Sequence, residues 1–511
     1  MSMKSISPII ATILIIVMTV AIAGIFYAFT SGLFGSLTQS SSQQIQQQSQ
    51  ITSFEINNVY CSNNIVYFDI YNNGNIPIDI NNSQIIFTDN NGNTISINGS
   101  NIICNNGNII PTGSNSLCYI INNYFCYYSY TNYIKSINFV YNGVSYSYNI
   151  PNNKNFNIIY LPNSNTYQVT LYNTQNIPTP QPFQQDIAIC NGNPNLPSSF
   201  AYVNNPILFN QINPDGQNVL FFNPNNNQLF YYSWYEGQED LNGTYCDVWW
   251  INLPNGIHAN NNITIYMYVG NSSDNYYLLC YPYVGSPIQV LGTSQYDNGK
   301  DVFNYYQNFG GLSSLPSNWA YDCNDQYNVS FSTNYTIIPS PTSLYNDGLT
   351  TTVNFTMQND ILEIYASVPT TNKLGWDVID LGAGGTTPPI GNDYYCYYGG
   401  LVVAFNNSNY GAAFSYTNSG NSGQFYLYVG NSNVGSTTYN YAPTIYEIGF
   451  SSSHTYFLVN YTQILSATTI PGSFSLPITV AQQWSGNSIY LFWILLRSLP
   501  PNDVMPSIYI S

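Results

Sequence analysis

The stretch ISPIIATILIIVMTVAIAGIFYAFTSGLFGSL, Ile6 to Leu37, carries no charged side chain and directly follows the short polar lead Met1-Ser2-Met3-Lys4-Ser5. At ~1.5 Å of rise per residue it is long enough, as a helix, to cross a hydrocarbon layer of ~30 Å. Ser7 is placed to cap that helix, and Pro8 suits its first turn, where the missing N–H would have had no partner. Gly24, Ala28, Gly32 and Ser36 recur every four residues, a slowly winding stripe along which another helix can approach closely. From Thr38 to Gln50 a Ser- and Gln-rich run continues without Gly or Pro, so the helix is predicted to leave the apolar zone as a polar stalk. Residues 1–50 therefore read as a leader and a membrane-crossing or filament-core helix.

From Ile51 onward the hydrophobic period changes to two. Ile65-Val66-Tyr67-Phe68-Asp69-Ile70-Tyr71, Asn72-Asn73-Gly74-Asn75 and Ile76-Pro77-Ile78-Asp79-Ile80 read as strand, turn, strand. Further strands are predicted at Gln84 to Thr88, Thr94 to Ile97, Ile134 to Tyr141 and Val144 to Ile150, with hairpin signals at Asn91-Gly92 and Asn142-Gly143. Residues 51–150 form a small antiparallel sandwich on this reading. Pro151 to Asn165, rich in Asn and Pro, is the linker candidate. A second β module is placed at 166–290 and a third at 300–511. The expected fold class is mainly β: a long N-terminal hydrophobic helix followed by three β-sandwich or jelly-roll modules.

Composition narrows the function classes. Only 6% of residues are charged, against ~25% in ordinary soluble domains, while Tyr alone contributes 50 residues. A formal charge of −17, with Lys4, Lys135, Lys154, Lys300, Lys373 and Arg497 as the whole basic complement, leaves no patch for phosphates and argues against nucleic acid as a partner. The low charge suits a hot or acidic exterior, since few carboxylates mean few groups whose protonation could unsettle the fold at low pH. Nine cysteines in an exported chain point to disulfides, with at least one thiol left over or shared between subunits. With no Cys-x-x-Cys and two histidines, His258 and His454, a zinc site is not expected.

The segment Lys4-Ser5-Ile6-Ser7-Pro8-Ile9-Ile10-Ala11-Thr12 resembles the class III signal of archaeal type IV pilins and archaellins. That resemblance implies cleavage between Ser5 and Ile6 by a prepilin peptidase on the cytoplasmic side, at the site formed by Lys4, Ser5 and Ile6. The helix would stay in the mature subunit, and Gly24, Ala28, Gly32 and Ser36 would pack in a filament core. A β head behind the helix, with Ile70-Tyr71-Asn72-Asn73-Gly74-Asn75-Ile76-Pro77-Ile78, looks like the outer domain of the same proteins. Tyr167 to Leu171, Pro180 to Gln185, Asn218 to Phe222, Val248 to Pro254 and Ile263 to Asn271 resemble a surface-protein β domain of unknown function. That domain usually precedes a concanavalin-like jelly roll, which Phe303 to Phe309, Leu315 to Trp319, Tyr446 to Phe450, Thr455 to Asn460 and Ser488 to Ile494 resemble in turn.

The jelly-roll resemblance raises glycoside hydrolysis, which needs two carboxylates aimed at one bond. Asp360 and Glu363, and likewise Asp377 and Asp380, are three apart and fall on opposite faces of a strand, so no catalytic residues are assigned and the chain is read as not an enzyme. His454 reads as a turn or strand residue. Glycan binding fits better, through aromatic platforms such as Trp319, Trp376 and the Tyr394 to Tyr398 loop. Glu236, Glu239 and Asp240 could hold Ca²⁺, a solvated acidic loop being the plainer reading; no other metal or cofactor is expected. Asn81, Asn98, Asn242, Asn262, Asn271, Asn328, Asn334, Asn354, Asn406 and Asn460 head Asn-x-Ser/Thr sequons, candidate glycosylation sites in an exported glycoprotein.

Together these features predict a structural or tip adhesin subunit of a type IV-like archaeal surface filament, lodged in the cell membrane with its C-terminal domains outside. Its partners would be the membrane, copies of itself, the peptidase and pilus assembly machinery, and glycans or other cell surfaces. A membrane-anchored sugar-binding protein that never polymerises is the alternative, and a tethered carbohydrate-active enzyme the third reading.

Overall fold

The computed structural model describes residues 8–49, 51–129, 132–151, 155–225, 229–322, 329–339, 347–368, 378–383, 411–417, 424–430, 432–438, 442–472, 475–483 and 488–511. The protein is mainly β behind one N-terminal apolar helix, and it divides into two compact units, Met1–Tyr160 and Leu161–Ser511.

Pro8–Ser49 is an unbroken α-helix of 42 residues. Its Thr12–Gly32 span has a mean hydropathy of 2.5 and is 0% buried by its own chain. Thr30 remains compatible with that span because its hydroxyl donates back to the Phe26 carbonyl at 2.8 Å, and Thr19 does the same to Ile15. Along the small-residue stripe, a Cβ at Gly24 or Gly32 would meet no atom within 4 Å. Ser36 lies within the helix, whereas Lys4, Ser5 and Ile6 fall outside the described residues.

The β part of the first unit is a sandwich. One sheet runs Phe54–Ser62, Ile65–Asn72, Asn115–Ile120, Ile102–Cys104, and the other Val144–Asn149, Ile134–Tyr141, Gln84–Asp89, Thr94–Asn98. Alternate residues such as Val66, Phe68, Ile70, Ile85, Phe87, Ile137 and Phe139 meet in one core. Cys61–Cys126 and Cys104–Cys118 are disulfide-bonded, the second pair joining directly paired residues of one sheet. The Pro151 to Asn165 stretch contains the strand Phe156–Tyr160, which pairs with Tyr124–Tyr128 and completes this unit. The asparagine content has a local use: among the described non-glycine residues with positive φ, all but Tyr461 and Asp503 are Asn, the side chain that best tolerates left-handed turns. Asn142-Gly143, with φ of 49° and 76°, forms the hairpin predicted there.

Among the described residues the second unit stacks four large sheets, apart from a short two-stranded pair of Phe355–Thr356 with Ser475–Leu476. The outermost is Val219–Phe222, Asn261–Val269, Thr166–Asn173, Ser507–Ile510; its last strand is the C-terminus, which returns across the whole unit to pair with Val169 to Tyr172. The next is Tyr202–Asn204, Phe183–Cys190, Thr244–Leu253, Ser233–Leu241, Val284–Gly285. The third is built on Ile489–Ser498, Asp360–Ser367, Thr444–Phe450, Thr455–Val459 and Thr462–Ala467, and the fourth on Asp347–Thr351, Ile478–Gln483, Val378–Ala383, Ala412–Thr417 and Gln424–Val429.

Strand parity explains the stack. In Thr244–Leu253, Trp249 packs on Phe221 of the outermost sheet, while its neighbour Trp250 turns the other way, toward Phe303 and Tyr461. In Asp360–Ser367, Leu362, Ile364 and Ala366 enter the third-to-fourth-sheet core, while Glu363 and Tyr365 face the second sheet. Both middle sheets are thus covered on both faces, and every residue of Phe183–Cys190 is buried. Cys190–Cys246 joins directly paired residues of the second sheet. Cys280 is buried, and Cys323 and Cys396 lie outside the described residues.

Candidate functional site

Between the second and third sheets lies a cluster of charged side chains. Arg497 on Ile489–Ser498 is 1% exposed; Glu363 and Glu447 are each 0%, Asp186 0%, and Glu236 4%. Glu363 and Glu447 stand directly opposite each other on paired strands, a position where two like charges repel. Arg497 relieves that conflict: its Nε–H donates to Glu363 and an Nη2–H to Glu447 Oε1 at 3.1 Å. Among the described residues these are the protein's two ion pairs. The guanidinium also lies over the Trp250 ring, 4.5 Å from its centroid.

Glu236 reaches the cluster because of a β-bulge. Pairing of Ser233–Leu241 with Thr244–Leu253 shifts between Tyr235 and Gly237, leaving Glu236 as the extra residue, and Gly237 takes a φ of 141° that side chains other than glycine's avoid. The re-aimed carboxyl accepts from Trp250 Nε1–H at 2.7 Å and from the Tyr461 hydroxyl. Tyr461 comes from the tight turn between Thr455–Val459 and Thr462–Ala467, at φ 63°, a costly conformation for a bulky residue. Its backbone N–H donates to Glu447 Oε2 at 2.8 Å and its ring packs on Phe200. Asp186 accepts from Ala201 N–H at 2.6 Å.

Burial dominates the electrostatics. It pushes Asp186 up to about 8, with Arg497 and the Ala201 N–H opposing. Burial and then the Glu363 charge push Glu447 up to about 8. Glu236 is raised well above the carboxyl range by burial and then by Glu239 and Glu363, against the bonds from Tyr461 and Trp250. Burial also raises Glu363, opposed by Arg497. Burial works against the charge of Arg497, but Glu363 and Glu447 outweigh it and keep the guanidinium protonated. The cluster is suited to holding protons and fastening two sheets.

The residues singled out from sequence are distributed differently. Asp360 accepts from Asn304 Nδ2–H at 3.2 Å, apart from Glu363, and burial raises it to about 7. Asp380 lies in Val378–Ala383, and Asp377 and Trp376 fall outside the described residues, as does the Tyr394 to Tyr398 loop. Trp319 is 4% exposed, set edge-on against Phe309, with its Nε1–H donating to Tyr305 at 2.7 Å; it is a core residue with no ring face left for a sugar. Glu236, Glu239 and Asp240 do not form one solvated loop or one Ca²⁺ site: Glu236 turns inward at the bulge and is buried, Asp240 accepts from Gly243 N–H, and no metal-holding cluster occurs among the described residues. His454 is a turn residue beside Ser453, as expected.

Of the sequon asparagines, Asn81, Asn98, Asn242, Asn262, Asn271, Asn334 and Asn354 are exposed, and Asn328 and Asn406 fall outside the described residues. Asn460 is only half-exposed, in the turn that carries Tyr461, where its Oδ1 accepts Ile445 N–H at 2.9 Å.

Arg497, Glu447 and Asp186 were not singled out from sequence as site residues. The signal was there in Arg497, a lone cation directly after the apolar run Leu491-Phe492-Trp493-Ile494-Leu495-Leu496, in a chain with six basic residues. A charge placed so is buried only if paired.

No protein-family model matches the chain. A protein of Sulfolobus islandicus rod-shaped virus 1, described as uncharacterized protein 562, is 38% identical over 157 residues. The match takes in 30% of this chain and spans 23% of that relative. Among solved structures, the chain is similar to the Emp47p carbohydrate recognition domain (14% identity, 38% of this chain and 95% of that one, TM-score 0.29). It is also similar to a laminarinase from Flavobacterium sp. UMI-01 (10%, 38% and 100%, TM-score 0.29) and to the VIP36 exoplasmic/lumenal domain in a Ca²⁺/Man3GlcNAc-bound form (10%, 38% and 91%, TM-score 0.28). At these values the likeness assigns no activity to this chain.

Proposed function

We propose that the protein is a surface subunit that waits in the membrane, assembles through its N-terminal helix into a type IV-like filament, and displays its two β units for adhesion to glycans or other surfaces. The observation that carries this reading is the Thr12–Gly32 span: apolar, helical and 0% buried by its own chain, so that lipid or neighbouring helices must cover it. Its stripe of Gly24, Ala28, Gly32 and Ser36 is the surface on which a second helix would lie. Replacing Gly24 and Gly32 together by Leu tests this. Filament yield is expected to fall at least about tenfold, with membrane-bound protein unchanged because the helix is no less apolar; undiminished filaments would contradict the reading.

The virus relative favours a second reading, in which the same helix and β units serve a virus-encoded surface protein. Immunogold labelling of purified virions and of cell-surface filaments separates the two.

Glycosylation belongs to the same proposal. Glycan mass is expected on the exposed sequons Asn81, Asn98, Asn242, Asn262, Asn271, Asn334 and Asn354, with Asn460 bare because it is half-buried inside a turn. Glycopeptide mass mapping checks both halves of that expectation.

A further inference from the structure

The interlayer cluster holds four carboxyl groups, Glu236, Asp186, Glu363 and Glu447, against one guanidinium, each at most 4% exposed. Fully ionised, it would carry a net charge of minus three in a space closed to water. Such a state is prohibitive, so protons must reside there.

Geometry says where. Glu363 and Glu447 share Arg497, whereas Glu236 and Asp186 accept only neutral donors in the bonds above. No cation faces Glu236: Glu239 on its own strand adds a like charge, Tyr461 beside the third sheet gives it a neutral hydrogen bond, and Tyr365 of the third sheet is itself raised by burial and then by Glu239 and Glu236. Glu363, also on the third sheet, acts on Asp186 and on Glu236 alike. Ionising Glu236 therefore sets like charges against one another across the two layers, while an ionised Asp186 is disfavoured chiefly by its burial, with the Glu363 charge adding to that cost and Arg497 opposing it.

We propose that this cluster is a proton-held lock between the two sandwiches of the second unit, closed while Glu236 and Asp186 carry protons and loosened when they release them. The raised carboxyls give the direction. Unfolded, these groups titrate near pH ~4. Asp186 does so at about 8 when folded. The lock is intact below the unfolded value and is lost as pH rises from there through about 8, because the unfolded chain releases protons that the folded one must keep. An acidic exterior is the condition under which it holds.

The test uses the full chain in detergent micelles. Trp234, Trp250 and Trp493 line the interface, with Trp234 and Trp493 edge-to-face at 5.6 Å, so acrylamide quenching of tryptophan reads its opening. Between pH 4 and pH 8 the quenching constant is expected to rise about twofold and the unfolding temperature to fall by roughly 10 °C. The double variant Glu236→Gln with Asp186→Asn, uncharged at both positions at every pH, is expected to show a clearly shallower slope, the remainder belonging to carboxyls such as Glu447 and Asp360, while matching the wild type at pH 4. A wild-type protein whose quenching and unfolding temperature stay level from pH 4 to 8 overturns the proposal, as does a variant that keeps the wild-type slope. A variant that fails to fold at pH 4 also counts against it, since a protonated carboxyl and an amide should be near-equivalent there.

Discussion

Replacing Arg497 by Met is expected to destabilise the second unit by about 3–5 kcal/mol at pH 7, the cost of leaving buried charge without its partner. Methionine fills the stem's space between Trp250 and the paired strands, so the loss reports charge more than volume. Glu363 and Glu447 then face each other across one strand pair with no cation between them, and each can become neutral only by taking a proton. Removing Arg497 raises both carboxyls further, so the penalty should shrink at pH 4 and grow toward pH 8. Thermal unfolding of wild type and variant at those two values checks magnitude and sign together. A loss equal at both would assign Arg497 a packing role only.

Replacing Trp250 by Ala is the second large loss, about 3–5 kcal/mol from the cavity alone. The ring is 0% exposed, touches Phe200 and Phe303 at its edges, carries Arg497 on its face and gives its N–H to Glu236. Trp250→Phe separates these parts, keeping a ring face for Arg497 but removing a donor from a buried carboxyl, and should cost about 1–3 kcal/mol. Denaturant titration of both variants beside Trp249→Ala, whose ring lies on the opposite face of the same strand, distinguishes a clustered effect from general core loss. In Trp249→Ala the loss should lack the pH dependence of the cluster.

The helix and the strand pattern were legible in sequence because each is a local property. Ile65–Asn72 and Ile134–Tyr141 alternate toward one core, and Asn142-Gly143 turns as its composition demands. Asp360 and Glu363, three residues apart, do take separate partners as strand parity requires. The four-sheet stack was not legible, since a strand covered on both faces loses the alternation that marks a core side. Phe183-Gln184-Gln185-Asp186 reads as polar, yet all four are buried: Gln184 accepts Ser498 N–H at 2.8 Å, and Gln185 donates to the Pro506 carbonyl at 3.2 Å. The cluster depends on register between distant segments, with Glu236 meeting Tyr461 225 positions away and Arg497 meeting Glu363 134 positions away. Glu236 illustrates the difficulty, because as one of three nearby acids it reads as part of a solvated loop, with Ca²⁺ the lesser alternative, and a one-residue bulge beside Gly237 turns it inward instead.

Whether the helix is the point of assembly is decided by its N-terminus in isolated surface material. Peptide mass analysis of purified filaments should find subunits beginning at Ile6, with the helix retained and the five-residue lead removed. Protein recovered only as membrane monomers that keep Met1 would contradict the account.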